Sequence, residues 1–160
     1  MALNDIVLAV PERYGVVQRH AVAAGAAASI KAGEPVMKTL GSPYVVIATT
    51  NKPVVASSNF VGIAAANSTD TVAADGYVDV VVVDSRDTWV VAPKVAATWD
   101  TQTEYDALVG DRVLLDLTTG TWTILAADSV NNGCVVMPID VATNPGKVKF
   151  AFRAGASYIA

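Results

Sequence analysis

The chain contains one histidine and one cysteine, residue types that often act as catalytic base and nucleophile. His20 has no nearby Asp, Ser or Cys at a spacing typical of a catalytic triad, which favours a surface or interface histidine. Cys134 lies in the strand-like run NNGCVVMP, where we expect a small buried side chain, because a reactive thiol needs an electropositive, partly exposed setting. A single cysteine cannot form an internal disulfide. Neither residue indicates a catalytic site.

Acidic side chains are the next candidates, either for metal binding or for acid and base catalysis. Asp79, Asp84 and Asp87 lack the alternating oxygen ligands and final Glu of a calcium loop, and turn chemistry explains the segment from Asp84 to Asp87. Two facing carboxylates could form a glycosidase pair, and the residues that could supply them are Asp100, Glu104, Asp106, Asp111 and Asp116. A helix cap and solvated loops explain this group more simply. A small hydrolase built on these acidic residues is therefore the least favoured functional hypothesis.

Glycine-rich loops and tryptophans complete the search for a ligand site. No glycine-rich segment ends in Lys-Ser or Lys-Thr, and none joins a strand to a helix in a βαβ unit, so we expect no cofactor. Trp89, Trp99 and Trp122 could form a platform on which sugars stack, although aromatic residues at strand or turn positions are more often core or interface anchors. The sequence thus predicts a protein that is not an enzyme.

Composition limits the class of protein and its partners. The 160 residues are 52% hydrophobic and 16% charged, which is typical of one folded body and not of disorder. The net charge of −4 and the scattered basic residues argue against a nucleic-acid partner. The N-terminus lacks the basic region of a signal peptide, and no uncharged interval is apolar enough to span a membrane. We expect a soluble protein made in a reducing, intracellular compartment.

Short β-branched runs that end at Gly, Pro, Asn or Asp predict strands throughout the chain. The predicted strands are Tyr44–Thr49, Tyr77–Val83, Thr88–Val91, Arg112–Leu117, Thr121–Leu125, Cys134–Pro138 and Lys147–Phe152. The capping-box spacing of Thr101 and Glu104, with Gly110 as a stop, predicts one short helix. The alanine-rich interval from Ala21 to Gly33 is interrupted by Gly25, and we expect it to be extended.

Glycines also suggest a degenerate internal repeat. The matching segments, in the same order in both halves, are Gly33-Glu34-Pro35-Val36 with Gly110-Asp111-Arg112-Val113, Gly62-Ile63-Ala64 with Gly133-Cys134-Val135, and Gly76-Tyr77-Val78-Asp79-Val80 with Gly146-Lys147-Val148-Lys149-Phe150. Each glycine would permit a turn or bulge next to a strand. The body from 21 to 160 would then be two similar β units, about 21–92 and 93–160, that share a core; chance similarity is the alternative.

The segment 1–20 is predicted to be an N-terminal arm. Ile6, Leu8 and Val10 alternate before Pro11, as in a strand with one apolar face. Such a strand could add to the sheet edge of a neighbouring molecule, or it could be an internal edge strand of its own fold. The residues expected to contact a partner protein or another subunit are Leu3, Ile6, Leu8, Val10 and Tyr14.

Four short motifs resemble those of the bacteriophage capsid decoration, or cement, proteins. They are Ala32-Gly33-Glu34-Pro35-Val36, Phe60-Val61-Gly62-Ile63-Ala64, Ala74-Asp75-Gly76-Tyr77-Val78 and Leu108-Val109-Gly110-Asp111-Arg112-Val113, within a resemblance that covers roughly residues 20–153. The resemblance implies an all-β fold, a small β-barrel or β-tulip-like body with one short helix and an extended N-terminal arm. It also implies a structural protein without an active site.

The expected function is therefore that of a decoration protein on the outer surface of a phage head. The resemblance implies that the chain binds the major capsid protein, with the N-terminal arm and its five contact residues touching the shell, forms a homotrimer and stabilises the capsid. Charge and hydropathy argue against nucleic acid or a membrane as a partner. The alternative is a carbohydrate-binding or adhesive β module of a head fibre or tail.

Overall fold

The computed structural model describes residues 6–8, 16–25, 29–48, 53, 59–83, 87–118, 120–127 and 129–153. In these residues the chain forms strands, one short 3₁₀ helix (Ala96–Thr98) and one α-helix, α1 (Gln102–Leu108). The strands are β1 (Val7–Leu8), β2 (Val17–Val22), β3 (Pro35–Lys38), β4 (Val45–Ile47), β5 (Phe60–Ala64), β6 (Gly76–Val82), β7 (Thr88–Pro93), β8 (Arg112–Thr118), β9 (Thr121–Leu125), β10 (Cys134–Val136) and β11 (Val148–Phe152). No helix within the described ranges is long and apolar enough to cross a membrane.

The strands form two small barrels of the same topology. In the first barrel the strand order is β2-β6-β5-β3-β4, all antiparallel, and a parallel bridge between Ala21 and Tyr44 closes the ring. In the second barrel the order is β7-β11-β10-β8-β9, and a parallel pairing of Ala92 with Thr123 closes it. The all-β prediction, with a barrel body and one short helix, is confirmed.

The residue register repeats as well as the strand order. Each of five cross-strand pairs in the first barrel has a counterpart in the second. Given with the first-barrel pair before its counterpart, they are His20–Val78 and Val91–Val148, Ala64–Val80 and Val136–Phe150, Val36–Gly62 and Val113–Cys134, Lys38–Val45 and Leu115–Ile124, and Ala21–Tyr44 and Ala92–Thr123. Every step around one ring therefore has its counterpart in the other. Each position in the first barrel can be compared with a defined position in the second.

Two of the three sequence matches agree with this register. Gly33 and Gly110 take the same place before β3 and β8, both with positive φ (86° and 92°), and Gly76 corresponds to Gly146. The third match is wrong by one residue, because Gly62 corresponds to Cys134. The boundary expected at 92 falls within β7, and the one expected at 20 falls within β2.

A bulge in β5 connects the two barrels. The pairing of β3 with β5 shifts after Val36, so that Phe60 lies opposite Met37 and both side chains face away from the first barrel. The ring centroids of Phe60 and Phe152 are 5.2 Å apart. One apolar cluster lies inside the first barrel, and a larger one contains side chains of both barrels. The barrels thus share a core.

The helix predicted after Thr101 is confirmed. The Thr101 side chain accepts a hydrogen bond from the backbone N–H of Glu104, and Gly110 follows the helix. Tyr105 is buried, donates its hydroxyl proton to the carbonyl of Met137 (3.0 Å) and accepts from the backbone N–H of Lys149 (2.9 Å). Helix α1 therefore packs on β11 through this side chain.

Of the predicted arm, the structure describes Ile6, the strand β1 and residues 16–20. Val7 pairs with Val90 and Leu8 pairs with Trp89, so β1 adds to β7 of its own chain. Ile6 is 2% exposed and belongs to the shared core. This pairing corresponds to the internal edge strand that the sequence left open as an alternative to docking on a neighbour. The alanine-rich interval contains the end of β2 followed by loop, and residues 26–28 lie outside the described ranges.

Candidate interaction surface

The two residues best suited to catalysis lie apart. Cys134 is fully buried at the start of β10, as predicted, and burial raises the pKa of its thiol well above the usual value. His20 is half-buried on β2, where burial and the nearby Lys38 cation lower the pKa of its imidazole. Its Nε2 atom is buried without a hydrogen-bond partner in the part of the chain that the structure describes. His20 is thus more buried than a plain surface histidine, and the interface role that the sequence left open stays a prediction.

Among the described acidic candidates, Asp100 and Glu104 are brought into contact. Asp84 lies outside the described residues, and Asp87 is 7% exposed before β7. Asp100 and Glu104 are exposed at the start of α1, where their mutual hydrogen bond raises the pKa of Asp100, and the Thr101 hydroxyl lowers that of Glu104. Asp116 forms a salt bridge with Lys94 (2.8 Å). Within the described ranges, no three His, Cys, Asp or Glu side chains group as a metal site would require.

The tryptophans are core residues. Trp89, Trp99 and Trp122 are all 3% exposed or less, and the first two pack edge to face on Phe152 and Tyr105. The interpretation of these residues as core anchors is confirmed. A sugar-stacking platform cannot be built from them, because a stacking ring must be open on one face.

Residues expected to contact a capsid fall mostly outside the described structure. Leu3, Val10 and Tyr14 are outside it, Ile6 is buried in the core, and Leu8 pairs with Trp89. A different surface presents side chains suited to protein contact. It is the outer face of three neighbouring strands of the first barrel.

We name this surface the tyrosine face and define it by Tyr44, Ala21, Tyr77, Arg19, Asp79 and Val17. Ala21 pairs with both Tyr44 and Tyr77, so the two tyrosines flank a small residue in one row across β4, β2 and β6. At about 4.8 Å between strands, the row is about 10 Å wide. Val17 and Tyr77 are exposed by 55% and 41%.

Arg19 and Asp79 form an ion pair on the tyrosine face. Arg19 binds the Asp79 carboxylate through two nitrogen atoms, at 2.8 and 3.0 Å, and its guanidinium lies 4.0 Å from the centre of the Tyr77 ring. The bond from Arg19 lowers the pKa of Asp79. The bidentate ion pair with Asp79 and the stacking on Tyr77 both orient the Arg19 side chain, so a partner would meet a preformed surface.

An acidic loop residue fixes the other tyrosine. The Tyr44 hydroxyl donates to Asp75 Oδ2 at 2.5 Å, while Asp75 Oδ1 accepts from the backbone N–H of Ala24 at 2.7 Å. The hydrogen bond from Tyr44 lowers the pKa of Asp75 and is also the main cause of the raised pKa of Tyr44. The loop before β6 is thereby joined to β4 and to the end of β2.

Sequence analysis missed this surface. In the structure, exposed and half-buried residues alternate along VQRHAV and place Arg19 and Ala21 on one face, but the residue types do not alternate between polar and apolar, so the sequence carried no simple signal. The partners of that face come from the start of β4 and from β6, and Arg19 and Asp79 are 60 residues apart in the chain. Arg19 lies beside Asp79 because β2 pairs with β6.

Comparisons of the chain with protein-family models, with characterised proteins and with solved structures give no match.

Proposed function

We propose that the chain is a structural decoration protein that binds the outer surface of a phage capsid and stabilises it. The observation that carries the proposal is the tyrosine face, a surface that combines Tyr and Arg side chains, residue types favoured at protein interfaces, with the exposed Val17. The motifs that resemble decoration proteins lie at the starts of β3, β6 and β8 and in β5, so they shape the barrels and leave the outer faces for contact.

The proposed partners are the major capsid protein and further copies of this chain, as a homotrimer on the capsid. A decoration protein must bury surface at several edges at once, and exposed apolar residues outside the tyrosine face include Leu40, Val72 and Val130. The net charge of −4 favours solubility before assembly.

Electron microscopy of purified protein mixed with expanded, undecorated heads of its own phage tests the proposal. We expect added density on the heads. Replacing two residues of the tyrosine face (Val17→Ser with Tyr77→Ser) should reduce occupancy at least tenfold, because interface aromatics carry much of the binding energy. The matched control is Val95→Ser, an exposed valine after β7 that lies outside the proposed contact residues. Undecorated heads at saturating protein would refute the proposal.

The carbohydrate-binding alternative loses its main support with the burial of the tryptophans. Among the described residues, the aromatics that are not buried are Tyr44 and Tyr77, and the Arg19 guanidinium already covers one face of the Tyr77 ring. Saturable binding on a glycan array, lost on Tyr44→Ser, would favour this alternative over capsid binding.

A further inference from the structure

The repeated register reveals a difference between the barrel interiors. Gln18, His20 and Lys38 correspond to Trp89, Val91 and Leu115 of the second barrel. The second-barrel residues are apolar and 2% exposed or less. The first-barrel residues are polar and half-buried, on the strand sides that carry the buried Val22 and Val36. We call Gln18, His20 and Lys38 the polar end of the first barrel.

Packing explains why the corresponding end of the second barrel is apolar. The ring of Phe152 at that end contacts Phe60 of the first barrel, and Ile6 is buried in the same cluster. Strand β1 pairs with β7 at Trp89 and Val90 beside it. An added strand and its neighbouring side chain therefore complete that end of the second barrel.

The corresponding edge in the first barrel is at Gln18 and Arg19 of β2. On its edge away from β6, β2 pairs with described residues only at Ala21, whose partner is Tyr44. The corresponding pairing in the second barrel is that of Ala92 on β7 with β9. In the described ranges, no strand takes the place that β1 takes on β7. A strand edge with free backbone groups can accept another strand.

The side chains at the polar end specify what such a strand would carry. Lys38 Nζ donates one hydrogen bond to the carbonyl of Pro43 (2.7 Å), and an ammonium group has three N–H donors. His20 Nε2 is buried without a hydrogen-bond partner in the described ranges. Burying an imidazole nitrogen without a partner costs free energy, and a carboxylate could accept from both groups.

We propose that the β2 edge at Gln18 and Arg19 binds an extended acidic segment of a partner protein as an added antiparallel strand, with a carboxylate that reaches Lys38 and His20. The segment takes the position that β1 takes on the second barrel, and its acidic side chain replaces the apolar Ile6. This inference concerns the first barrel alone and does not depend on the partner being a capsid protein.

Nuclear magnetic resonance titration of the full chain tests the proposal with a synthetic peptide, acetyl-Thr-Val-Glu-Val-Thr-amide. We expect saturable shifts of the Gln18, Arg19 and His20 amide signals, and a rise in the pKa of His20, the only histidine. The same peptide with Gln in place of Glu should bind about tenfold more weakly, since it offers no charge to Lys38 and His20. Absent shifts at these amides, or equal affinity for both peptides, would overturn the proposal.

Variants give an independent test. His20→Val with Lys38→Leu introduces the residue types of the second barrel and should abolish the preference for the Glu peptide. The matched control is Lys147→Leu, an exposed lysine before β11 that should leave the preference unchanged. If the double variant does not fold, Lys38→Gln alone should reduce the preference. Self-association that shifts the same amides without peptide, seen by sedimentation, would assign the edge to a second copy and overturn the proposal.

Discussion

Gly62 allows β5 to lie close to β6 within the first barrel. A Cβ at this position would lie 2.0 Å from the carbonyl oxygen of Val81 on the neighbouring strand. Only glycine fits there without moving the backbone of β6. The bulge beside it turns Phe60 towards the second barrel.

We predict that Gly62→Ala lowers the free energy of unfolding by more than about 2 kcal/mol, because two packed strands must move apart. Urea unfolding of the purified variant measures the loss. The control is Gly41→Ala, where φ is 74° but no atom lies within 4 Å of the added Cβ. The control should lose only about 1 kcal/mol, as expected for an alanine at positive φ. Equal losses in the two variants would contradict the packing argument.

His20 gives the protein a pH-dependent stability of known sign. Burial and the Lys38 cation hold the pKa of His20 below its usual 6.5, so the unfolded chain binds the proton more readily. This contribution is fully present above pH 6.5 and is lost as the pH falls from there towards the lower pKa of the folded state. We expect the unfolding midpoint of the native chain to fall more steeply than that of His20→Gln between about pH 7 and 5.

Urea midpoints of both proteins across this range measure the difference. Both proteins carry the same carboxylates and differ only at the single histidine, so a difference between their midpoint curves reports on His20. Parallel midpoint curves would show that His20 titrates alike in the folded and unfolded chain.

At the scale of elements, β1 belongs to the second barrel. We predict that Ile6→Ala lowers the free energy of unfolding by about 2 to 4 kcal/mol, since Ile6 is 2% exposed in the shared core. Thermal or urea unfolding measures this loss, and Val17→Ala, with 55% of its residue surface exposed, is the control that should change little. An unchanged stability in Ile6→Ala would favour the other interpretation, an arm that docks on a neighbour.

Helix α1 has no counterpart in the described part of the first barrel. The two barrels differ most between their first and second strands, where the second contains the 3₁₀ helix and α1 and the first contains loop. Tyr105 is the buried residue of α1, and its hydroxyl oxygen accepts a hydrogen bond from the backbone N–H of Lys149. In the first barrel the buried residue of this connection is Ile30, whose backbone N–H donates to the Ser68 hydroxyl. The repeated strands tolerate different connections because their register is fixed by the barrel.

The whole molecule has two barrels joined by one large apolar cluster, while a second, smaller cluster lies inside the first barrel. Side chains of both barrels meet in the larger apolar cluster, so neither barrel can unfold without exposing part of the other. We therefore predict a single cooperative unfolding transition.

Two local probes can test this prediction. All three tryptophans lie in the second barrel and the single histidine lies in the first, so tryptophan fluorescence and the His20 imidazole signal report on different barrels. Their urea midpoints should agree within error. Separate midpoints would show that the barrels unfold independently.

Local signals in the sequence determined much of the fold. Alternating β-branched runs predicted β8 and β9 closely, and the Thr101 cap with Gly110 predicted α1. Strands β2, β3 and β5 were not predicted in the strand pattern. In β2 both faces carry polar residues, β3 begins with a proline and has 4 residues, and β5 contains Gly62, so none shows a simple apolar alternation.

The glycine repeat indicated two similar units from sequence alone, because the turns before β3 and β8 need the same backbone conformation. Only the tertiary structure decided which strands are neighbours, how each ring closes and which side chains share a face. Tyr44, Ala21 and Tyr77 form one row because β4 and β6 flank β2, a pairing between distant segments that no local pattern encodes. Gln18, His20 and Lys38 differ from their second-barrel counterparts for the same reason: burial at a barrel end depends on what packs against it, and packing is a property of the folded chain.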